Sequence, residues 1–236
     1  MKFISSKTIR LTSRGVKKIV PCIKTFTDEY HALQKLQGVP GVIKLLDVNI
    51  DTGTFYLDYH QHDLLDYLIL NKPLLKNPHK RELYNRRMTE TFTSLVNTVN
   101  TCHSNNIIHC DLKPDNIVLD DAKNPILIDF GHAINLESSF YRFLRGTDGY
   151  QAPEMKQGTF GYFTDVYSLG IILYTILMIR TPFILPDGNI DFNFNENEEI
   201  IPYKFVNLIS DMTDPYYESR PTTACVLNEL SIILQK

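Results

Sequence analysis

A short polar loop flanked by apolar residues carries groups that could do chemistry. Asp111, Lys113 and Asn116 place a carboxylate, a fixed cation and a carboxamide within six positions. Asp129 follows thirteen positions after Asn116, directly behind a second apolar run at 125–128. Two hairpin strands would present both carboxylates at one opening. Phosphoryl transfer needs little covalent help from a protein but much positioning and charge neutralisation, which these groups could supply.

The loop resembles the catalytic loop of eukaryotic protein kinases, and Asp129-Phe130-Gly131 resembles the metal-binding motif of that family. The resemblance implies that Asp111 accepts the proton of the substrate hydroxyl and that Lys113 contacts the transferred phosphoryl group. It also implies that Asn116 and Asp129 hold Mg²⁺, an ion that prefers a few oxygen ligands plus phosphate and water. The implied cofactors are therefore ATP and Mg²⁺.

Three further segments follow in the order that this family has. The sequence Gly-Thr-Asp-Gly-Tyr-Gln-Ala-Pro-Glu at 146–154 resembles the end of a kinase activation segment. The sequence Asp-Val-Tyr-Ser-Leu-Gly at 165–170 resembles the start of the central buried helix. Arg220 stands where the family keeps a buried ionic partner for the glutamate that matches Glu154. Five motifs in register make a chance match implausible.

The same resemblance indicates which hydroxyl would be the acceptor. The segment 146–154 receives a peptide in protein kinases and is missing from small-molecule kinases of the aminoglycoside or choline type. Thr147 matches the threonine that contacts the catalytic aspartate and lysine in serine/threonine kinases, which here are Asp111 and Lys113. We therefore expect a serine/threonine protein kinase that transfers the γ-phosphoryl group of ATP to protein hydroxyls. The alternative is a pseudokinase or scaffold that binds nucleotide or partner proteins without efficient catalysis.

Length and composition set the bounds of this interpretation. The chain has 236 residues, 43% of them hydrophobic, which suits one soluble domain with two lobes. The net charge of −3 does not favour nucleic acid as a ligand. The most apolar stretch, 166–179, is shorter than the ~20 residues that span a bilayer. The first residues have no sustained apolar core, so we expect no secretion signal. The four cysteines form no Cys-x-x-Cys pair, which argues against zinc and disulfides. This favours an intracellular location, in the cytoplasm with the nucleus as the alternative.

The expected fold is α+β, with the two-lobed architecture of protein kinases. One kinase-like domain would cover 1–236, with a small β-rich N-lobe and hinge at about 1–60 and a mainly helical C-lobe at 61–236. Kinases normally open with a glycine-rich loop over the ATP phosphates, but Gly15 is the only glycine before Gly38. We expect that loop to be absent or rebuilt, and an activating or completing protein partner is possible.

The ATP-pairing lysine is ambiguous in the sequence. Pro-Cys-Ile-Lys at 21–24 is similar to the Val-Ala-Ile-Lys strand of the family, which makes Lys24 the candidate to contact the α- and β-phosphates. Its partner would be Glu29, on a helix predicted at 27–37 with Thr27 as its cap. The two residues are only five positions apart, closer than in the family. Either the helix has lost its first turns or the lysine lies earlier, with Lys18 as the runner-up; Lys24 would otherwise be a solvated residue at a strand end.

A Tyr-Leu-Asp-Tyr-His segment resembles the hinge between the lobes. Its Leu57 would sit at the entrance of the back pocket, and the backbone of Asp58 and Tyr59 would hold adenine. Cys22 would cover the base from above and Val118 from below. The apolar members of this set would be equally at home as core residues.

One departure from the family bears on regulation. Most kinases have arginine at the position of Cys110, where its charge pairs with a phosphorylated residue and orders the activation segment. Cysteine cannot make that pair, so we predict activity that does not depend on such phosphorylation. We also predict that His103 is a buried histidine bonded to the backbone, that His109 packs beneath Phe130, and that Asp165 fixes the backbone of the catalytic loop.

Overall fold

The computed structural model describes residues 8–13, 15–137, 147–185, 190–194 and 202–235. The N-terminal part is an antiparallel sheet with one helix packed against it, and the remainder is mainly helical. This arrangement is the predicted two-lobed α+β fold. The position of the lobe boundary at about residue 60 stays a prediction, although the last strand of the N-terminal sheet ends at Leu57.

The N-terminal sheet has four strands in the spatial order β1-β2-β4-β3. Its elements are β1 (Thr8–Thr12), β2 (Gly15–Ile19), α1 (Ile23–Lys35), β3 (Leu45–Asn49) and β4 (Thr54–Leu57). Val16 pairs with Leu57 and Lys18 with Phe55 across the central strands. Because side chains alternate along a strand, Val16 and Lys18 lie on the same face of the sheet.

Strand β2 ends before the Pro-Cys-Ile-Lys segment at 21–24, and helix α1 begins earlier than predicted. The last ladder contact is a hydrogen bond from Val20 N to Gly53 O at 2.9 Å, and Pro21 has no N–H with which to continue the sheet. The chain then enters α1 at Ile23, so the prediction of a helix over 27–37 capped by Thr27 was wrong at its start. The Thr27 hydroxyl bonds the carbonyl of Ile23 inside the helix instead.

Gly15 allows strands β2 and β4 to approach each other closely. It has a φ of +125°, and any side chain there would collide with the carbonyl oxygen of Leu57. Strand β2 starts only three positions after β1 ends. Gly15 is the first residue of β2, and the absence or rebuilding of the glycine-rich loop stays a prediction.

The remaining elements form the helical part. They are β5 (His62–Asp63), α2 (Leu64–Asn71), α3 (Pro78–Ser104), β6 (Ile107–Ile108), β7 (Ile117–Leu119), β8 (Pro125–Leu127), β9 (Ile134–Asn135), α4 (Tyr162–Met178), β10 (Phe183–Ile184), β11 (Ile190–Asp191), α5 (Tyr203–Met212) and α6 (Thr223–Leu234). Strands β5, β7 and β8 form one small sheet, and β6 pairs with β9. The polar loop lies between β6 and β7.

Helix α4 runs through the centre of the helical part and is buried along nearly its whole length. It begins at Tyr162, where Gly161 N donates to the Thr164 hydroxyl at 3.2 Å. Among the described residues, no helix is both long and apolar enough to cross a bilayer. Because α4 is buried, it is the scaffold of the helical part, and its first turn carries Asp165 toward the polar loop.

Candidate active site

The hairpin of β7 and β8 brings Asn116 and Asp129 together. Ile117 pairs with Leu127 across the two strands, and Ile128 N donates to Asn116 O at 3.0 Å. Asn116 precedes β7 while Asp129 follows β8, so the two side chains emerge at the same end of the hairpin, as predicted. Asp129 has a φ of 59°, in the left-handed region that non-glycine residues seldom adopt.

Asp111 is held from several sides. Its Oδ1 accepts hydrogen bonds from Thr147 N at 3.1 Å and Thr147 Oγ1 at 2.9 Å. Asn116 Nδ2 donates to Asp111 Oδ2 at 2.9 Å. Lys113 Nζ donates to Thr147 Oγ1 at 2.7 Å and lies 3.5 Å from Asp111 Oδ2. The expected contact of Thr147 with Asp111 and Lys113 is therefore present, and the carboxylate is fixed beside a cation.

The sequence did not single out His132, which also reaches Asp111. Its Nδ1 lies 3.5 Å from Asp111 Oδ2. Burial alone would raise the pKa of Asp111, but the nearby His132, the hydrogen bonds from Thr147 and the charge of Lys113 outweigh it and lower the pKa to about 2. Asp111 is thus ionised at neutral pH and can accept a hydrogen bond from a hydroxyl. The only sequence signal for His132 was its place directly after Gly131.

Lys18, rather than Lys24, forms the ion pair with Glu29. Lys18 Nζ donates to Glu29 Oε1 and, at 2.9 Å, to Asp129 Oδ1. Burial alone would lower the pKa of Lys18, but the charges of Glu29 and Asp129 outweigh it and hold the pKa above its ordinary value. Lys24 is exposed in the first turn of α1, because β2 ends before Pro21. The prediction for Lys24 was therefore wrong, while the runner-up Lys18 and the partner Glu29 are brought together.

The residues expected around adenine divide into two groups. Cys22 is exposed at the N-cap of α1 and not on the strand, so the prediction that it covers the base was wrong. Val16, two positions before Lys18 on the same face of β2, is the better candidate, and its position relative to the lysine could have identified it. Leu57 is buried at the end of β4, and Val118 is buried in β7 outside the continuous hydrophobic core.

The predicted role of the residues after β4, hydrogen bonding to adenine, stays a prediction. Asp58 N donates to Lys44 O at 3.0 Å, and Tyr59 N donates to Asp58 Oδ1 at 2.9 Å. These bonds fix the chain as it leaves the sheet. Tyr59 is exposed there.

Asp165 fixes the backbone of the catalytic loop, as predicted. Its two carboxylate oxygens accept from His109 N and Cys110 N, each at 2.9 Å. Cys110 has a φ of 63°, a conformation that costs a non-glycine residue roughly 1–2 kcal/mol, and the hydrogen bond that its N–H donates to Asp165 helps to stabilise it. Burial alone would raise the pKa of Asp165, but hydrogen bonding and charge from His103, with the contribution of His109, lower it.

Two histidines support this arrangement. His103 is buried as expected, but its Nε2 lies 2.9 Å from Asp165 Oδ2, so the prediction of a backbone partner was wrong. The ring of His109 lies 4.9 Å from that of Phe130, which confirms the predicted contact. Both histidines connect the loop to the core.

A buried ion pair closes the other side of the site. Arg220 donates from Nη1 to Glu154 Oε1 at 2.8 Å and from Nη2 to Glu154 Oε2 at 2.9 Å. Its guanidinium also lies over the ring of Tyr167 at 4.7 Å. This two-pronged contact confirms the predicted partnership and anchors the end of the segment that carries Thr147.

The donor set at the hairpin end suits a magnesium ion. Asn116 Nδ2 donates to both the backbone and the side chain of Asp111, which turns the amide oxygen to the opposite side. Asp129 adds a carboxylate. The described ranges contain no group of three or more His, Cys, Asp or Glu side chains that could hold a metal. A few oxygen donors still fit Mg²⁺, which takes most of its ligands from phosphate and water.

Comparison with known families agrees with this geometry. The family model for the protein kinase domain matches residues 1–230. The chain belongs to the protein kinase family, whose members use ATP and a divalent metal ion.

Individual relatives are kinases of several kinds. The chain is 29% identical to calcium-dependent protein kinase 27 of Arabidopsis thaliana over 96% of its own length and 48% of the relative's. It is 34% identical to the phosphorylase b kinase gamma catalytic chain, liver/testis isoform, of Rattus norvegicus over 66% of its length and 39% of the relative's. It is 30% identical to the carbon catabolite-derepressing protein kinase of Secale cereale over 83% and 37%, respectively. The chain thus spans less than half the length of these relatives.

Proposed function

We propose that this protein is a serine/threonine protein kinase that transfers the γ-phosphoryl group of ATP to hydroxyls of protein substrates. The observation that carries the proposal is the fixed carboxylate of Asp111, ionised and held by Thr147 and Asn116 with Lys113 beside it. Kinase relatives of three kinds support the same activity. The contact of Thr147 with both Asp111 and Lys113 favours serine and threonine as acceptors.

Each residue has a distinct task in this scheme. Asp111 orients the acceptor hydroxyl and accepts its proton, a role that contributes roughly 10²–10⁴ in rate. Lys113 stabilises the charge on the transferred phosphoryl group, and Lys18 contacts the α- and β-phosphates while Glu29 holds its ammonium group in place. Asn116 and Asp129 would hold Mg²⁺, which neutralises phosphate charge when bound.

The nucleotide base would lie between the two parts of the fold. Val16 and Val118 would cover its faces, and Leu57 would border the inner end. The backbone carbonyls of Asp58 and Tyr59 would accept hydrogen bonds from its edge, since both N–H groups donate within the protein. We further propose that the protein works in the cytoplasm or nucleus, as its scattered cysteines suggest. Protein substrates are its proposed partners, with neither nucleic acid nor membrane as a ligand.

A second candidate, a nucleotide-binding pseudokinase, is favoured by one observation. Gly15 is the single glycine of the sequence before Gly38, so the glycine-rich sequence that normally covers ATP phosphates is missing. A protein partner that completes this region would be compatible with either function.

A radiolabelled-ATP assay separates the two candidates. The protein is incubated with mixed basic and acidic proteins and Mg²⁺, with Asp129→Ala as the control. We expect label on serine and threonine with the wild type and none with the variant. Stabilisation by ATP without transfer to any protein would reject the kinase and support the pseudokinase.

A further inference from the structure

Four polar side chains outside the cleft form a continuous chain of hydrogen bonds, which we call the Glu137 clasp: Lys35, Glu137, Asn106 and Tyr162. Lys35 Nζ donates to Glu137 Oε2 at 2.7 Å. Asn106 Nδ2 donates to Glu137 Oε1 at 2.9 Å. The Tyr162 hydroxyl donates to Asn106 Oδ1 at 2.8 Å. Both carboxylate oxygens of Glu137 are therefore occupied by donors from different parts of the chain.

The clasp joins four elements that the reaction needs in register. Lys35 is the last residue of α1, six positions after Glu29. Glu137 follows β9, and Tyr162 opens α4. Asn106 lies in the turn between α3 and β6 with a φ of 58°, and its backbone carbonyl accepts from Leu136 N at 2.9 Å. The far end of α1 is thereby fastened to the helical part of the molecule.

The clasp also touches the network beneath the catalytic loop. The ring of Tyr162 packs on that of His103 at 4.7 Å, and His103 bonds Asp165 at 2.9 Å. Asp165 in turn holds the backbone of the loop. One line of contacts therefore runs from α1 to the loop that carries Asp111.

Glu137 supplies a permanent negative charge at this junction. Its pKa lies below the ordinary value because Lys35 and Asn106 donate hydrogen bonds to the carboxylate and because Lys35 is positively charged. Cys110, by contrast, is fully buried and offers no cation to a phosphorylated residue. Its thiol has a raised pKa because of burial. The fixed carboxylate of Glu137 thus supplies an anionic anchor for Lys35 and Asn106.

We propose that Glu137 is a positioning residue for phosphoryl transfer: it holds α1, and through it Glu29 and Lys18, in the arrangement that binds ATP, without a phosphorylated residue. This inference rests on the proposed kinase function. It goes beyond that function because Glu137 lies outside the catalytic and nucleotide-binding residues. Since the ion pair of Glu137 is exposed, its effect is expected to be modest and salt-dependent.

The test is a double-mutant cycle on Lys35 and Glu137. Glu137→Gln and Lys35→Met are each expected to lower kcat/KM for ATP by about two- to fivefold at low salt, the range of an exposed ion pair. The double variant should lose no more than the larger single loss, because the two residues act as one contact. The KM for the protein substrate should stay unchanged. The ratio of wild-type to variant rates should approach one at about 1 M salt, where screening is strong.

A matched control is available on α3. Glu90 is an exposed carboxylate that pairs with Arg86 at 3.5 Å and Arg87 at 3.7 Å. Neither arginine belongs to the clasp. Glu90→Gln should leave kcat/KM for ATP unchanged at every salt concentration. Circular dichroism melting of all variants checks that each is folded, and Lys35→Met serves if Glu137→Gln proves unstable.

The outcomes separate this inference from the proposed function. Equal kcat/KM for the wild type and Glu137→Gln at low salt would overturn the proposed role of Glu137. A large loss of wild-type rate after complete phosphatase treatment would also overturn it. If the wild type transfers no phosphate, the kinase proposal fails, and ATP affinity becomes the measure of the clasp. A Kd for ATP that rises about two- to fivefold in Glu137→Gln would then retain the clasp, and an unchanged Kd would overturn it.

Discussion

The ammonium nitrogen of Lys18 lies 2.9 Å from Oδ1 of Asp129, although the two residues are 111 positions apart in the chain. This contact joins β2 of the N-terminal sheet to the end of the β7–β8 hairpin. Glu29 holds the other side of the same nitrogen. A single lysine therefore connects the two parts of the fold at the point where ATP phosphates are proposed to bind.

Replacing this lysine should remove most of the activity. Lys18→Met deletes the charge proposed to contact the α- and β-phosphates, and we expect kcat/KM for ATP to fall by about 10²–10³-fold, as for other preorganised electrostatic contacts. Lys24→Met, at an exposed position in α1, is the matched control and should retain the wild-type value. Steady-state kinetics with varied ATP measure both. Equal losses in the two variants would contradict the assignment.

The role of Asp111 predicts a separate signature. Asp111→Asn keeps the shape of the side chain but removes its capacity as a base, so phosphotransfer should fall by roughly 10²–10⁴. Because the nucleotide contacts proposed for Lys18 do not involve Asp111, ATP binding should persist. Rates come from the radiolabel assay and affinities from calorimetry. Wild-type rates in this variant would remove Asp111 from the mechanism.

Stability should fall at acid pH in a window set by the depressed carboxyl groups. The pKa of Asp111 is lowered from 3.8 to about 2, and that of Asp165 is also lowered. A group whose folded pKa is depressed contributes stability above its unfolded pKa and loses it as pH falls through the folded value. The free energy of unfolding should therefore decline from about pH 4 downward. Urea titrations at several pH values measure it, and Asp111→Asn should show a shallower decline; an identical decline would contradict the assignment to Asp111.

The buried ion pair should matter for folding more than for chemistry. Removing one partner, as in Arg220→Ala, leaves the Glu154 carboxylate uncompensated and should lower the free energy of unfolding by about 3–5 kcal/mol. Replacing both partners with apolar residues of similar size, as in Arg220→Met with Glu154→Leu, should cost less. Denaturant unfolding of both variants checks the order. If the double variant were the less stable of the two, the pair itself would be the stabilising feature.

The catalytic loop could be predicted from the sequence because its chemistry is local. Asp111, Lys113 and Asn116 lie on one loop, and the hairpin that follows fixes where Asp129 emerges. The resemblance to the protein kinase family also implied the pairing of Arg220 with Glu154, which the structure shows. These features depend on short-range geometry and on contacts that a motif specifies in advance.

The predictions for Cys22 and Lys24 were wrong because they depended on where β2 ends. Cys22 and Lys24 were predicted to lie on a strand because of their residue types. The loss of strand pairing at Pro21 rules out a continuation of β2 through these residues. Spacing alone left Lys18 and Lys24 as alternatives, whereas pairing with Phe55 places Lys18 in β2. His132 and the Glu137 clasp were missed because their contacts join distant segments, such as Lys35 and Glu137, which are 102 positions apart. Such partners become visible only when the chain is folded.

Asp165 lies in the first turn of α4, and its carboxylate accepts hydrogen bonds from the backbone of the loop that carries Asp111. If the loop changed its conformation, the charged Asp165 carboxylate would lose its hydrogen bonds in the interior. We therefore expect the loop to keep one conformation throughout the reaction cycle. The proposed nucleotide and protein substrates should therefore meet a rigid surface in this half of the cleft. Any slow rearrangement in the reaction cycle should arise on the opposite side, in the thin sheet.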